Sequence, residues 1–322
     1  MIWPYGPMQE HYSMNTAIID LGTNTFNLLI GRIEEGRVVT EFKTKIPVKL
    51  GKGGFAKRHL TEDAIARGLL AIESHINTAQ EHGVESIVAF ATSAVRDASN
   101  GADFVRQIQS DYGLQVQVIS GNREAELICE GVRSSSDFGA ESLLIMDIGG
   151  GSTEFILTSV GQIHWKKSYA LGVSRLLERI QPSDPLGADD LDALHSILDD
   201  ALTDLGKALE LYPAAHLVGS SGSFDTMADL ILAGIYKEEV SSKGNRYDFR
   251  LNDFETIYTQ LRYSTQAERL AMPGMLEMRA EMMVLSSSII RYVVQRWNMK
   301  QVTLSTYALK EGALVQHYRN KK

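Results

Sequence analysis

Two short apolar runs in this chain each end in an aspartate, cross a glycine turn and resume. The first is Thr16 to Leu21, followed by Gly22-Thr23-Asn24-Thr25 and then Phe26 to Ile30. The second runs from Leu143 to Met146, then Asp147-Ile148-Gly149-Gly150-Gly151-Ser152-Thr153-Glu154, then Phe155 to Leu157. Apolar runs of this length bounded by glycines suit buried strands, so each reads as strand, tight turn, strand. Asp20 and Asp147 are 127 residues apart, and in both copies glycine follows two positions later and phenylalanine opens the return. That spacing predicts two similar domains facing each other.

The segments after each turn keep the same order. After the first, a third strand (Arg37 to Lys45) precedes a helix from about Thr61 to Glu81, with Thr61 as cap and Ile65, Leu69, Ile72 and Ile76 at helical spacing. Strand Ser86 to Ala91, a helix from about Asn100 to Asp111, strand Leu114 to Ile119 and a helix from about Asn122 to Arg133 complete that half. The second half has a third strand (Gln162 to Tyr169), helices near Gly172 to Ile180 and Asp189 to Leu211, strand His216 to Val218 and further helices. It continues with a long helix Leu276 to Arg296, strand Gln301 to Leu304 and a last helix Ala308 to Tyr318. Three strands, then alternating helix and strand, twice over, is a duplicated α/β architecture with a cleft between lobes. The expected division is a first lobe over 14–134 and a second over 135–307, with the C-terminal helix (about 308–322) able to pack back on the first. Residues 1–13, which carry Trp3-Pro4-Tyr5-Gly6-Pro7 and no period, read as a loosely ordered extension.

Composition narrows the chemistry. With 322 residues, 44% hydrophobic and 22% charged, the chain reads as a soluble globular protein of two domains. A formal net charge of -8 argues against a DNA-binding role, which needs a basic surface. The single cysteine, Cys129, excludes an intramolecular disulfide and a Cys-rich zinc site; it reads as a packed thiol in a reducing, cytoplasmic setting. The longest apolar candidate, Met282 to Val294, is broken by three serines and Arg291, so neither a membrane span nor an export signal is expected. The methionines between Met272 and Met283 suit core filling or an oligomer contact, which leaves a homodimer open.

A glycine-rich turn can bring backbone N–H groups close to a phosphate, although either turn alone reads as easily as a plain hairpin. Carboxylates beside such a cradle, Asp147 and Glu154, would repel phosphate unless a hard cation such as Mg²⁺ sat between. The segment Lys43 to Arg58 holds six cations and no acid, which suits either guidance of a polyanion or a solvated basic loop.

Taken together, Asp20-Leu-Gly-Thr-Asn-Thr25, Ala91-Thr-Ser-Ala-Val-Arg96, Ile119-Ser-Gly-Asn-Arg-Glu-Ala125, Asp147 to Glu154, Gly219-Ser-Ser-Gly222 and Pro273-Gly274 with Arg279-Ala280-Glu281 carry a resemblance. The chain resembles the exopolyphosphatase/guanosine pentaphosphate phosphohydrolase (Ppx/GppA) family of the actin-like ATPase superfamily, in its short two-domain branch. The resemblance implies two ribonuclease-H-like lobes that hydrolyse a terminal phosphoanhydride, with Mg²⁺ (or Mn²⁺) in the interlobe cleft. The substrate would be inorganic polyphosphate or guanosine pentaphosphate, the latter a link to the stringent response. It also assigns roles: Glu124 as general base, Arg96 facing phosphates, and Thr23, Asn24, Thr25, Gly149, Gly150, Gly151, Ser152, Thr153 and Gly222 binding phosphate. Asp147 and Glu154 would hold the metal, with Asp20 as a third candidate. Arg123 stands where many relatives have a second acid, and Glu126 is the neighbour that could stand in. Two other classes remain open: a small-molecule kinase of the same superfamily and a non-catalytic nucleotide or phosphate sensor.

Overall fold

The structure, a computed structural model, describes residues 15–54, 57–136 and 138–321; the expected extension 1–13 lies outside them. In the first half β1 (Thr16–Leu21), β2 (Thr25–Glu34) and β3 (Arg37–Pro47) form an antiparallel meander. Helix α1 (Glu62–Glu81) follows, with Thr61 accepting from the Ala64 N–H as its N-cap. Then come β4 (Ser86–Ala91), α2 (Ser93–Asp97), α3 (Gly101–Tyr112), β5 (Val116–Val118) and α4 (Gly121–Ser135). β4 and β5 add in parallel on the other side of β1, giving the sheet order β3-β2-β1-β4-β5.

The second half repeats the plan with β6 (Leu143–Ile148), β7 (Thr153–Ser159), β8 (Gln162–Tyr169), α5 (Val173–Ile180), α6 (Ala188–Ala201), α7 (Thr203–Leu211), β9 (His216–Ser220) and α8 (Ser221–Leu230). β10 (Arg246–Phe249), α9 (Leu251–Tyr263), α10 (Gln266–Leu270), α11 (Met283–Arg296), β11 (Gln301–Ser305) and α12 (Leu309–Lys321) complete it. Its sheet order is β10-β11-β9-β6-β7-β8, the first sheet's order with one extra antiparallel edge strand. That strand was not legible in sequence: it is four residues long and half charged, and only its pairing with β11 makes it a strand.

Two expected helices are interrupted. The 189–211 helix breaks at Leu202, where Thr203 turns its hydroxyl back onto the Asp199 and Asp200 carbonyls, a local bond that competes with the helical ladder. The 276–296 helix starts regularly only at Met283. Buried Arg269 pulls the Ala280 carbonyl out of register with a 2.8 Å bond and also holds the Ser264 carbonyl and Asp184.

A core fills each half, and a third joins them: Ile18 and Leu29 of the first sheet and Ile145 and Ile156 of the second meet α4 and α12. α12 packs against α4 backbone to backbone, since a methyl on Gly312 would lie 1.8 Å from the Leu127 carbonyl. Arg123–Gln316 and Lys321–Glu85 contacts tie the same helix to the first half. Cys129 is buried in this layer. Among the described residues no helix is long and apolar enough to cross a membrane.

Candidate active site

The two Asp-x-Gly turns are built alike. Gly22 N–H donates to the Thr25 carbonyl at 3.1 Å and Gly149 N–H to the Ser152 carbonyl at 2.9 Å. In register, Asp20 pairs across β1–β2 with Asn27, and Asp147 pairs across β6–β7 with Glu154. Asn27 is therefore the first-half counterpart of Glu154, and its amide donates to Asp20 at 3.0 Å. Applied to position 154, the repeat would have found it.

Both turns open onto a cleft of about 390 Å³ whose walls include Asp20, Thr23, Asn24, Thr25, Glu124 and Asp147. Gly149, Gly150, Ser152 and Gly222 line it too, and so do Lys45, Asp225, Arg279 and Lys310, which sequence reasoning did not place in the site. Among the described residues the backbone N–H groups of Thr23, Asn24 and Gly150 make no backbone hydrogen bond, which leaves donors from both halves for an anion. None of Gly149, Gly150 and Gly151 has a positive φ. Their glycine requirement is steric: a methyl on Gly150 would lie 2.6 Å from Asn24 Nδ2, and one on Gly151 would lie 2.4 Å from Ser93 Oγ. The strained residue is instead Ser221, at φ 69° in the β9–α8 turn, with its hydroxyl on the Ile148 carbonyl.

The halves are latched at the cleft mouth. Ser174 Oγ donates to Asn24 Oδ1 at 2.8 Å, Gly53 N–H to Glu178 at 2.8 Å, and Arg175 to Asp97 at 2.6 Å. Arg175 also donates to the Gly151 carbonyl, which sets the second turn. Asn24 thus spends its side chain on the partner half, leaving its N–H for an anion.

Four expected residues do not line the cleft. Thr153 is fully buried with its hydroxyl on the Leu171 carbonyl, and Gly151 lies behind Ser93 and Thr23. Glu154 is buried, accepting from Ser168 at 2.6 Å. Arg96 donates to Glu124 at 2.9 Å and to the Ile119 carbonyl at 3.0 Å, gripping the expected base. Glu126 does not join the site: Lys166 and Arg123 both hold it at 2.9 Å.

Burial raises Asp20, Glu124, Asp147 and Glu154 alike. Burial lifts Asp20 to about 6, opposed by Lys310 and the Asn27 bond, and lifts Glu154 to about 7, with Asp147 adding to the rise. Asp147 is raised by burial against the hydroxyls of Ser220 and Ser221. Glu124 sits in the first turn of α4, whose N-cap is Ser120; burial and then Glu154 push it well above the ordinary range, while Arg96 pulls back. Among the described residues no three acids, histidines or cysteines form a ready metal cage. The donor set fits Mg²⁺, which takes one or two carboxylates and completes its shell with phosphate oxygens and water. Asp147 and Asp20 line the cleft and are the two that would hold such an ion, and Glu154 pairs with Asp147 on the neighbouring strand.

A larger hollow of about 780 Å³ lies where the β2–β3 and β7–β8 hairpins meet the end of α4. Its one acid, Glu141, is bound to His216, and none of the residues above reaches it.

Two duplicated sheets closing on such a cleft define the two-lobed, actin-like class of α/β protein. The same fold appears in the crystal structure of an exopolyphosphatase from Cytophaga hutchinsonii, 38% identical, with a TM-score of 0.91 over 95% of this chain and 98% of that one. A Ppx/GppA family member from Aquifex aeolicus, 22% identical, shares the fold with a TM-score of 0.80 over 96% and 99% of the two chains. The model of the Ppx/GppA phosphatase family matches residues 29–321. The chain belongs to the Ppx/GppA phosphatase family, a family of hydrolases.

Proposed function

We propose that the protein is an exopolyphosphatase that releases orthophosphate from the end of inorganic polyphosphate. The observation that carries this reading is the pairing of a buried, Arg96-held Glu124 with two opposed turns whose N–H donors face one cleft. The 38% identical Cytophaga hutchinsonii exopolyphosphatase supports it. Guanosine pentaphosphate is the second reading. Polyphosphate is favoured because no aromatic side chain lines the cleft among the described residues, so a guanine base would find no stacking partner.

In this mechanism the terminal phosphate is held between the Thr23–Asn24 and Gly150 N–H groups. Glu124 orients a water in line with the bridging oxygen and takes its proton as the new O–P bond forms; the bridging P–O bond breaks and the shortened chain leaves with the electron pair. Arg96 opposes the rise that burial and the Glu154 charge impose on Glu124, and so favours the ionised carboxylate that a base requires. Mg²⁺ held at Asp147 and Asp20 would supply neutralisation of phosphate charge. The test is phosphate release from long polyphosphate, tripolyphosphate, guanosine pentaphosphate and ATP, each with and without Mg²⁺. Metal-dependent release from the first two is expected, and release from ATP or guanosine pentaphosphate alone would overturn the reading.

A further inference from the structure

Four side chains form a row across the second sheet. In register they are Ser220 of β9, Asp147 of β6, Glu154 of β7 and Ser168 of β8. The two acids stand in the middle and each outer serine donates inward, Ser220 to Asp147 at 2.7 Å and Ser168 to Glu154 at 2.6 Å. A hydroxyl donating to a carboxylate at such a distance is among the stronger hydrogen bonds a protein makes. The matching row of the first sheet is Phe90, Asp20, Asn27 and Lys45, so the fold does not itself ask for hydroxyls at the two ends.

Ser220 is fully buried, whereas Ser168 lies where the halves meet. Strand β8 runs along α4 of the first half. On it Lys166 holds Glu126 at 2.9 Å, and Ser168, on the same face of the strand, meets the first residue of the helix. A methyl on Gly121 would lie 2.4 Å from Ser168 Cβ and 2.7 Å from its Oγ, so the helix backbone packs directly on the serine. Glu124 stands in that same first turn of α4, and Arg96, which holds it at 2.9 Å, comes within 3.8 Å of the same methyl position. Ser168 thus touches Glu154 with its hydroxyl and the base of the Glu124 helix with its Cβ. It does not itself line the cleft.

We infer that Ser168 is a positioning residue for the hydrolysis: it seats the start of α4 against the Asp147–Glu154 pair and so sets where Glu124 stands relative to the second half of the site. The inference rests on the reading of Glu124 as the base. Glu124 comes from the first half, while Asp147 and Gly150 come from the second. A water oriented by one half and a phosphate held by the other line up only if the two keep a fixed separation, and small misplacements of reacting groups are costly in rate.

The experiment is steady-state phosphate release from inorganic tripolyphosphate in saturating Mg²⁺, with the melting of each protein read alongside. Ser168→Ala, which removes the hydroxyl and keeps the Cβ on Gly121, should lower kcat about tenfold with KM and the Mg²⁺ requirement unchanged. Gly121→Ala keeps the hydroxyl bond and raises helix propensity, yet should lower kcat at least as far by driving α4 away from Ser168. Ser168→Gly should make room for that methyl, so the double variant should lose no more than Ser168→Gly alone. In a Glu124→Gln background Ser168→Ala should cost nothing further, because it acts through that carboxylate. A loss confined to KM or melting, a raised Mg²⁺ requirement, or an equal loss of kcat with and without Glu124 would overturn the inference. The two readings fail distinguishably. Wild-type kcat for Glu124→Gln would sink the base and the inference with it, whereas a Glu124→Gln defect beside unaffected Ser168→Ala and Gly121→Ala proteins would sink the positioning role alone.

Discussion

Glu154 gives the sharpest test of the electrostatics in this cleft. Its carboxyl is raised by burial and by Asp147 from an ordinary 4.5 to about 7. A group whose folded pKa is raised contributes stability that is fully present below the unfolded value and is lost as pH rises through the folded one. For Glu154 that window runs from about pH 4.5 to about pH 7. At 1.36 kcal/mol per pH unit, ionising it in the fold costs roughly 3 kcal/mol at pH 8 in the absence of a cation. Glu154→Gln removes this cost, keeps an acceptor for Ser168 and offers Asp147 a donor. A chain of this length melts with an entropy near 0.7 kcal/mol/K, so the variant should melt about 5 °C above wild type at pH 8 in EDTA. The advantage should vanish near pH 4.5, and Mg²⁺ should raise the wild-type melting temperature more than the variant's. Scanning calorimetry of both proteins from pH 4.5 to 8 reads all three. Parallel curves across that range would refute the argument that Glu154 is a buried acid awaiting a positive charge.

Three further outcomes follow from the same geometry. Glu124→Gln should lower kcat by about 10²–10⁴ with KM unchanged or smaller, since only proton acceptance is removed, and a variant with wild-type kcat would end its assignment as base. Asp97→Asn and Arg175→Met, which each break the interlobe pair, should show a coupling of about 1 kcal/mol or more in a double-mutant cycle of stability; additive effects would mean that the 2.6 Å contact does not latch the halves. Gly150→Ala should force the first turn away from the second and lower kcat at least tenfold by misplacing one set of donors, which phosphate-release kinetics would show, while normal turnover would place the anion elsewhere.

The duplicated plan was legible from sequence because its signals are local. An apolar run, an aspartate and a glycine turn specify a hairpin within some fifteen residues, and they recur at Asp20 and Asp147; Thr61 announces a helix by a cap bond that spans three residues. Local signals fail where a distant side chain intervenes. Arg269 unwinds the start of the expected 276–296 helix, and β10 exists only because β11 runs beside it. The site divides the same way. Residue types named Asp147 and the two turns and the family resemblance named Glu124, whereas Lys310 reads in sequence as an ordinary helical lysine. Only the packing of α12 onto α4 carries it into the cleft beside Asp20, Asp147 and Asp225, whose charges together with that of Glu311 outweigh the effect of burial and leave its pKa raised. The glycines make the same point. Sequence shows that they are glycines, but the reason lies in the other half of the chain, where Asn24 and Ser93 leave no room for a methyl group. Charge and close contact between segments more than a hundred residues apart are decided by tertiary structure, because no local pattern records which surfaces will meet.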